Sequence, residues 1–269
     1  MLSLLAATML APQSGILVID RLGIGLAENG RWRAMDSIYA KSWPKQLIPS
    51  ATVERFAKGT CYELAERGAV TATTGLLEFK GDDSGPYDRG WILKEGSGHD
   101  DHVIWFGSKP TAPSVTYAAR NSATYVSAVK SYLQAKGVKN PKPILHTVAL
   151  ADLDDNGTRE ALIFASSRAN DDMHGPTTLS GETKFPKDFS VVLIRYISGK
   201  TVKTATLYYT DGREGSLEGH CSFAGLWDLD GKSGLEILYR WTGYEASAAS
   251  IVGFAKGKIV KLAEAGDGV

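Results

Sequence analysis

Residues 144–165 read ILHTVALADLDDNGTREALIFA. Two apolar, β-prone runs flank a run of short polar side chains that includes one glycine, which is the composition of a tight turn. The stretch therefore predicts a β-strand, an acidic turn and a second β-strand.

The acidic turn places oxygen-bearing side chains at alternating positions. Asp152, Asp154 and Asn156 stand at the first, third and fifth positions, and Gly157 at the sixth permits the sharp bend that brings them together. Hard oxygen ligands in a flexible ring suit Ca²⁺. With the peptide carbonyl of the seventh position and a carboxylate at the ninth, the predicted ligands of one Ca²⁺ are Asp152, Asp154, Asn156, Thr158 and Glu160.

The turn is not an EF-hand loop. Ile163 stands at the twelfth position, where an EF-hand needs a bidentate acid, and the flanking segments are strands rather than helices. The alternative to a cation site is a solvated Asx-type turn, in which the carboxylates accept hydrogen bonds from nearby backbone amides.

A second acidic turn follows at residues 228–236, which read DLDGKSGLE. Asp228, Asp230 and Glu236 keep the spacing, but Lys232 stands at the fifth position, where a ligand oxygen belongs. An ammonium group there would repel a divalent cation. We therefore expect the Lys232 ammonium to sit among the three carboxylates and to replace the charge of the metal.

The C-terminal half contains an internal repeat. Residues 193–205 read LIRYISGKTVKTA and residues 251–263 read IVGFAKGKIVKLA, so the Gly-Lys turn and its flanks recur. Each unit predicts strand, acidic turn, strand, connection, strand, Gly-Lys turn, strand. Four antiparallel strands in that order form one propeller-like blade or one meander.

The first acidic turn and the strand after it resemble the calcium turn of FG-GAP and VCBS-type repeats of extracellular β-propellers. The segment from Gly225 to Glu245 is also similar to the C-terminal part of uncharacterised exported bacterial proteins that carry such turns, and the hairpin through Asn29 and Gly30 resembles their N-terminal part. The specific match covers about 120 residues of the C-terminal half. The resemblance implies an extracellular β-repeat protein with Asp152, Asp154, Asn156 and Glu160 as calcium ligands.

The expected fold class is mainly β with one helix, in an α+β N-terminal portion followed by two blade-like four-stranded antiparallel repeats, propeller-like or sandwich. The predicted segments are a candidate signal peptide (1–14), an N-terminal portion (15–143) and a repeat region (144–269) with units at 144–210 and 220–263. Turn signals predict hairpins at Asn29-Gly30 and Arg67-Gly68. One amphipathic helix is predicted between a cap at Asn121 or Ser122 and a stop at Gly137.

The first residues favour export. Met1–Ala11 read MLSLLAATMLA, an apolar run as long as a signal-peptide core, although no Lys or Arg precedes it. The alternative is a buried strand or helix of the folded protein. Cys61 and Cys221 fit either one disulfide or two buried free thiols. The expected location is therefore extracytoplasmic, either secreted or periplasmic.

Composition narrows the choice of partner. With 30 basic and 30 acidic residues and no basic run, the chain is not expected to bind nucleic acid, and no segment is apolar for long enough to cross a membrane. The expected partner is a protein or a carbohydrate. Four aromatic residues could line a carbohydrate face, but they alternate with core positions, so packing is the favoured role: Trp227, Tyr239, Trp241 and Tyr244.

No catalytic motif is present, so a binding or structural role is expected. The competing hypothesis is an extracytoplasmic metal-dependent hydrolase that uses the cluster His99-Asp100-Asp101-His102. In a strand, His99 and Asp101 would face one side while Asp100 and His102 face the other, so the four would not converge. Asp171-Asp172-Met173-His174 lies in the long connection of the first repeat, where long loops often carry recognition, but a flexible, solvated loop is the favoured interpretation.

Overall fold

The structure is a computed structural model, and it describes residues 14–20, 22–35, 53–56, 58–80, 90–93, 102–168, 188–211, 219–243 and 246–268. Antiparallel strands in three sheets make up most of this part of the chain, with one helix, α1 (Ala123–Ala135), beside them. The predicted fold class, mainly β with one helix, is confirmed.

Sheet A is built from the N-terminal half. Its strands are β1 (Gly15–Ile19), β2 (Leu22–Glu28), β3 (Arg31–Ala34), β4 (Lys58–Leu64), β5 (Val70–Lys80), β6 (Gly90–Leu93) and β7 (Val103–Gly107). Their order is β1-β7-β4-β5-β6-β2-β3, and β1 also pairs with β2. Asn29 (φ 53°) and Gly30 (φ 67°) form the β2–β3 turn, and Gly68 (φ 89°) lies in the β4–β5 turn. Both predicted hairpins are confirmed.

Sheet B contains the first repeat. Its strands are β8 (Thr116–Tyr117), β9 (Ile144–Ala151), β10 (Glu160–Ser166), β11 (Phe189–Ser198) and β12 (Thr201–Asp211). Strands β9 to β12 pair in chain order, each antiparallel to the next, and short β8 adds to the free edge of β9. The first acidic turn joins β9 to β10, as the sequence predicts.

Sheet C contains the second repeat. Its strands are β13 (His220–Trp227), β14 (Glu236–Thr242), β15 (Ala246–Ala255) and β16 (Lys258–Gly268), which also pair in chain order. The second acidic turn joins β13 to β14, and a turn at Lys256-Gly257 joins β15 to β16. Both repeats are therefore four-stranded antiparallel meanders, as predicted.

Sheet C lies between the other two sheets and is apolar on both faces. Leu238 and Ile251 pack in a core cluster with sheet A residues, while Ile237 and Val252 pack in another with sheet B residues. Neighbouring residues of a strand point to opposite faces, so burial of both faces requires consecutive apolar residues. Sheets B and C thus pack face to face as the layers of a sandwich do, and the described residues form no closed propeller.

Helix α1 covers the outer face of sheet B. Val129 and Leu133 are fully buried there and share a core cluster with Val148 and Ile163. Ser122 stands at the N-cap position but makes no side-chain capping hydrogen bond, and Gly137 (φ 87°) follows the helix in the left-handed conformation. The predicted ends of the helix are therefore confirmed, whereas the capping bond is not.

The two cysteines are free and buried. Cys61 lies in the core of sheet A, and Cys221 lies between sheets B and C. Of the two alternatives for this pair, the structure has the free thiols.

Candidate metal centre

Three carboxylates converge inside the first acidic turn. Asp152, Asp154 and Glu160 each place an oxygen so that these atoms lie within 4.8 Å of one another. Strand β9 ends just before Asp152 and strand β10 begins at Glu160, so the pairing of the two strands holds the carboxylates together. Three of the five predicted ligand residues thus meet at one point.

The backbone of the turn is organised by its own side chains. Asp152 accepts hydrogen bonds from the amides of Asn156 (3.0 Å) and Gly157 (2.7 Å), and Asn156 Oδ1 accepts one from the amide of Thr158 (2.8 Å). These are the Asx-type contacts of the alternative interpretation. They wind the turn tightly, which is also what a ring of oxygen ligands around a cation needs.

Glu160 is the buried member of the group, with 1% of its surface exposed. Its Oε2 accepts a hydrogen bond of 2.9 Å from the amide of Leu153. Burial raises the pKa of Glu160, and the charges of Asp154 and Asp152 raise it further, against the lowering effect of the Leu153 amide. A positive charge among the three carboxylates would relieve this repulsion.

Asp154 uses its two carboxylate oxygens differently. Oδ2 accepts a hydrogen bond of 3.1 Å from the backbone amide of Lys256 in the second repeat. Oδ1 is buried and has no hydrogen-bond partner among the described residues. A buried carboxylate oxygen without a partner is costly, and coordination of a cation is one way of satisfying it.

The second acidic turn has the same frame. Asp228, Asp230 and Glu236 also place oxygens within 4.8 Å of one another. Glu236 accepts a hydrogen bond of 2.8 Å from the amide of Leu229, as Glu160 does from Leu153. The two acidic turns, which are similar in sequence, therefore also have the same arrangement of carboxylates and the same glutamate–amide hydrogen bond.

The expected position of the Lys232 ammonium is wrong. Lys232 is exposed, and a Cβ built on Gly30 would lie only 2.5 Å from Lys232 Cε, so the lysine stem runs over the β2–β3 turn of sheet A. It forms no ion pair of 4 Å or less with Asp228, Asp230 or Glu236. An exposed lysine keeps its hydration by directing the ammonium away from the buried acids.

Burial and the charge of Asp230 raise the pKa of Glu236 to about 8, although the hydrogen bonds from Leu229 and Trp32 lower it. Glu236 is 5% exposed. The raised pKa favours the protonated form of this carboxyl, in which the second turn carries less negative charge.

The two turns differ in exposure. Trp32 of the β2–β3 hairpin donates a hydrogen bond of 3.3 Å to Glu236, so sheet A covers the second turn. In the first turn Asn156 and Gly157 are exposed, and a Cβ built on Gly157 would meet nothing within 4 Å. The tip of the first turn is therefore open to solvent, while Glu160 and Asp154 Oδ1 lie buried beneath it.

The turns also contact each other. The amide of Leu235 donates a hydrogen bond of 3.0 Å to the carbonyl of Leu153. A Cβ on Gly234, whose φ is +98°, would lie 2.8 Å from the same carbonyl oxygen. Sequence reasoning missed these partners and Lys256 as well, although the repeated Gly-Lys turn was the signal that marked the region of Lys256.

The histidine cluster of the competing hypothesis is only partly described. His102 Nδ1 lies 2.8 Å from Glu63 Oε1 on the neighbouring strand β4, while His99, Asp100 and Asp101 lie outside the described residues, as do residues 171–174. Within the described part of the chain, the groups of three or more metal-ligating side chains are the two acidic turns.

The aromatic residues considered for a carbohydrate face serve packing. Trp227 is fully buried between sheets A and C. Tyr239 and Trp241 pack against the core between sheets B and C, where Trp241 Nε1 donates a hydrogen bond of 2.9 Å to the Tyr208 hydroxyl. Tyr244 lies outside the described residues.

No helix in the described part of the chain has the length and apolar character that crossing a bilayer requires. No family model, curated protein or solved structure matches the chain. The resemblance to FG-GAP and VCBS-type repeats therefore stays a prediction.

Proposed function

We propose that this chain is an exported β-repeat protein with a binding or structural role, in which one Ca²⁺ stiffens the first acidic turn. Asp152, Asp154 and Glu160 would supply carboxylate oxygens, with Asn156 and the Thr158 carbonyl as further ligands. The observation that carries the proposal is Asp154 Oδ1, which is buried without a partner among the described residues beside two more carboxylates.

Calcium is the cation that this chemistry favours. Ca²⁺ takes six to eight oxygen ligands in flexible geometry, whereas Mg²⁺ demands a near-ideal octahedron. An exposed turn leaves room for water to complete the shell. Sites in extracellular modules bind Ca²⁺ with Kd values of about 10⁻⁴ to 10⁻³ M, so an extracytoplasmic location would suit this site.

The test is calcium titration of the full chain by isothermal calorimetry, with thermal melting in parallel. We expect one site, and a higher Tm at saturation because the ligand binds only the folded state; at 100 times Kd the gain is about 2.7 kcal/mol. Asp154→Asn should abolish both effects. Asp155→Asn is the matched control, since Asp155 is exposed in the same turn and outside the converging group. Wild-type protein that shows no binding heat and no change in Tm would refute the proposal.

The competing candidate is a metal-dependent hydrolase that uses His99 to His102. The observation in its favour is the contact of 2.8 Å between His102 and Glu63, a carboxylate–imidazole pair of the kind that performs acid–base chemistry. Zinc-dependent hydrolysis of a model ester, lost in both His102→Ala and Glu63→Gln, would favour this candidate. Equal rates in wild type and both variants would remove it.

A further inference from the structure

The first acidic turn is attached to the second repeat through the same carboxylate that is proposed to bind the cation. Asp154 Oδ2 accepts a hydrogen bond of 3.1 Å from the backbone amide of Lys256, 102 positions away. Lys256 stands at the tip of the β15–β16 hairpin with φ +51°. In the same rotamer Asp154 Oδ1 is buried without a hydrogen-bond partner among the described residues, and one Asp154 oxygen converges with those of Asp152 and Glu160.

The tip of the β15–β16 hairpin packs tightly on sheet B. A Cβ built on Gly257 would lie 2.5 Å from the Tyr196 hydroxyl oxygen, and the rings of Tyr196 and Phe254 meet edge to face with centroids 5.4 Å apart. Tyr196 lies on β11, which is two strands away from β9 in sheet B. The hairpin tip is therefore held at two points, the Tyr196 ring and the Asp154 carboxylate.

A backbone contact links the same two parts of the molecule. The hydrogen bond of 3.0 Å between Leu235 N and Leu153 O joins the residue before Asp154 to the second acidic turn. Gly234, which approaches that carbonyl closely, leaves little freedom for the two turns to slide. A change in the position of Asp154 therefore acts directly on the contact between the repeats.

We infer that cation binding at the first turn and docking of the β15–β16 hairpin on the first repeat are coupled, with Asp154 as the shared residue. The inference rests on the proposed calcium site. A bound cation would fix Asp154 in the rotamer that accepts the Lys256 amide, and a docked hairpin would preorganise Asp154 for the cation. Such coupling is reciprocal, so each event strengthens the other by the same factor.

The primary test is hydrogen exchange of the full chain with and without saturating Ca²⁺, read at residues 253–260. We expect exchange of the Lys256 amide to slow by about 5-fold or more with Ca²⁺, the lower end of typical coupling between sites. In Asp154→Asn, an amide oxygen can still accept the Lys256 hydrogen bond, but the charge that a cation needs is gone. This variant should keep the calcium-free protection and lose the calcium effect, whereas Asp155→Asn should behave as wild type.

The reciprocal test changes the hairpin and measures the cation. Tyr196→Leu removes the ring under the hairpin tip without touching the acidic turn, so calorimetry should show a Kd raised by a factor similar to the exchange effect. Tyr196→Phe keeps the ring and should leave Kd unchanged. If Tyr196→Leu folds poorly, the coupling can still be tested, because the hydrogen-exchange measurement uses the wild-type protein.

The outcomes separate the two proposals. Calorimetric binding of one Ca²⁺ with unchanged exchange at Lys256 overturns the coupling while the proposed calcium site stands. Binding with slower exchange at Lys256, lost in Asp154→Asn, supports both. Absence of binding overturns both.

Discussion

The indole Nε1 of Trp32 donates a hydrogen bond of 3.3 Å to Oε1 of Glu236, which stands 204 positions later in the chain. The other oxygen of Glu236 accepts the amide of Leu229. Glu236 is therefore held from sheet A on one side and from its own turn on the other. Removal of Glu236 from water raises its pKa, and this has a measurable effect on stability.

Glu236→Gln should change how stability depends on pH. The pKa of Glu236 is about 8 in the folded chain against an ordinary value of 4.5, with burial as the main cause. The folded state thus binds this proton more tightly than the unfolded state does. The stabilisation is complete below pH 4.5 and is lost as pH rises towards 8, by on the order of 5 kcal/mol.

Urea unfolding at pH 5, 7 and 9 in the presence of a chelator measures this effect. The free energy of unfolding of the wild type should fall from pH 5 to pH 9. That of Glu236→Gln should change less over the same range. Glu54→Gln, at an exposed position, should follow wild type. Parallel curves for wild type and Glu236→Gln would contradict the assignment of a buried, protonated Glu236.

His220 should make the protein sensitive to acid. Burial lowers the pKa of His220, the charge of Arg168 lowers it further, and Asp188 opposes them. The unfolded state then binds the proton more readily, so stability is present above the ordinary pKa of 6.5 and is lost as pH falls below it. Between pH 7.5 and 5, Tm should fall less in His220→Gln than in wild type.

Two buried tryptophans should respond differently to the same substitution. Trp105 and Trp227 are both fully buried, but Trp105 Nε1 donates a hydrogen bond of 2.9 Å to the Ser108 carbonyl, whereas Trp227 Nε1 has no partner among the described residues. Both changes to phenylalanine leave a similar cavity. Trp105→Phe removes a hydrogen bond, whereas Trp227→Phe removes a buried N–H that makes none, so Trp105→Phe should cost about 1 to 2 kcal/mol more in the free energy of unfolding. Chemical denaturation gives the comparison, and a larger loss for Trp227→Phe would contradict it.

Gly234→Ala should destabilise the protein more than Gly157→Ala does. Both glycines have positive φ, +98° and +83°, so both changes add backbone strain of about 1 to 2 kcal/mol. At Gly234 the new Cβ would also lie 2.8 Å from the Leu153 carbonyl oxygen, while at Gly157 it meets nothing within 4 Å. Thermal melting should show the larger loss for Gly234→Ala. Equal losses would mean that the two turns do not need their close backbone contact.

Local chemistry was readable from the sequence alone. The strands β9 and β10, the acidic turn between them and the Asn29-Gly30 hairpin all follow from patterns within about ten residues. Side-chain periodicity and the backbone preferences of Gly, Asn and Asp act at that range. The convergence of Asp152, Asp154 and Glu160 can also be predicted from a short segment, because one turn between two paired strands contains all three residues.

The environment of the acidic turns was decided by tertiary structure. Lys232 stands where local spacing puts it among the carboxylates, yet its side chain runs over Gly30. Glu236 meets Trp32 and Asp154 meets Lys256 across 204 and 102 positions. These partners depend on the packing of sheet C between sheets A and B, which sums many apolar contacts that are weak individually and invisible in any short segment. Side-chain spacing within each turn therefore brings its carboxylates together, whereas the stacking of the sheets sets the contacts of each turn, with Trp32 at Glu236 and Lys256 at Asp154.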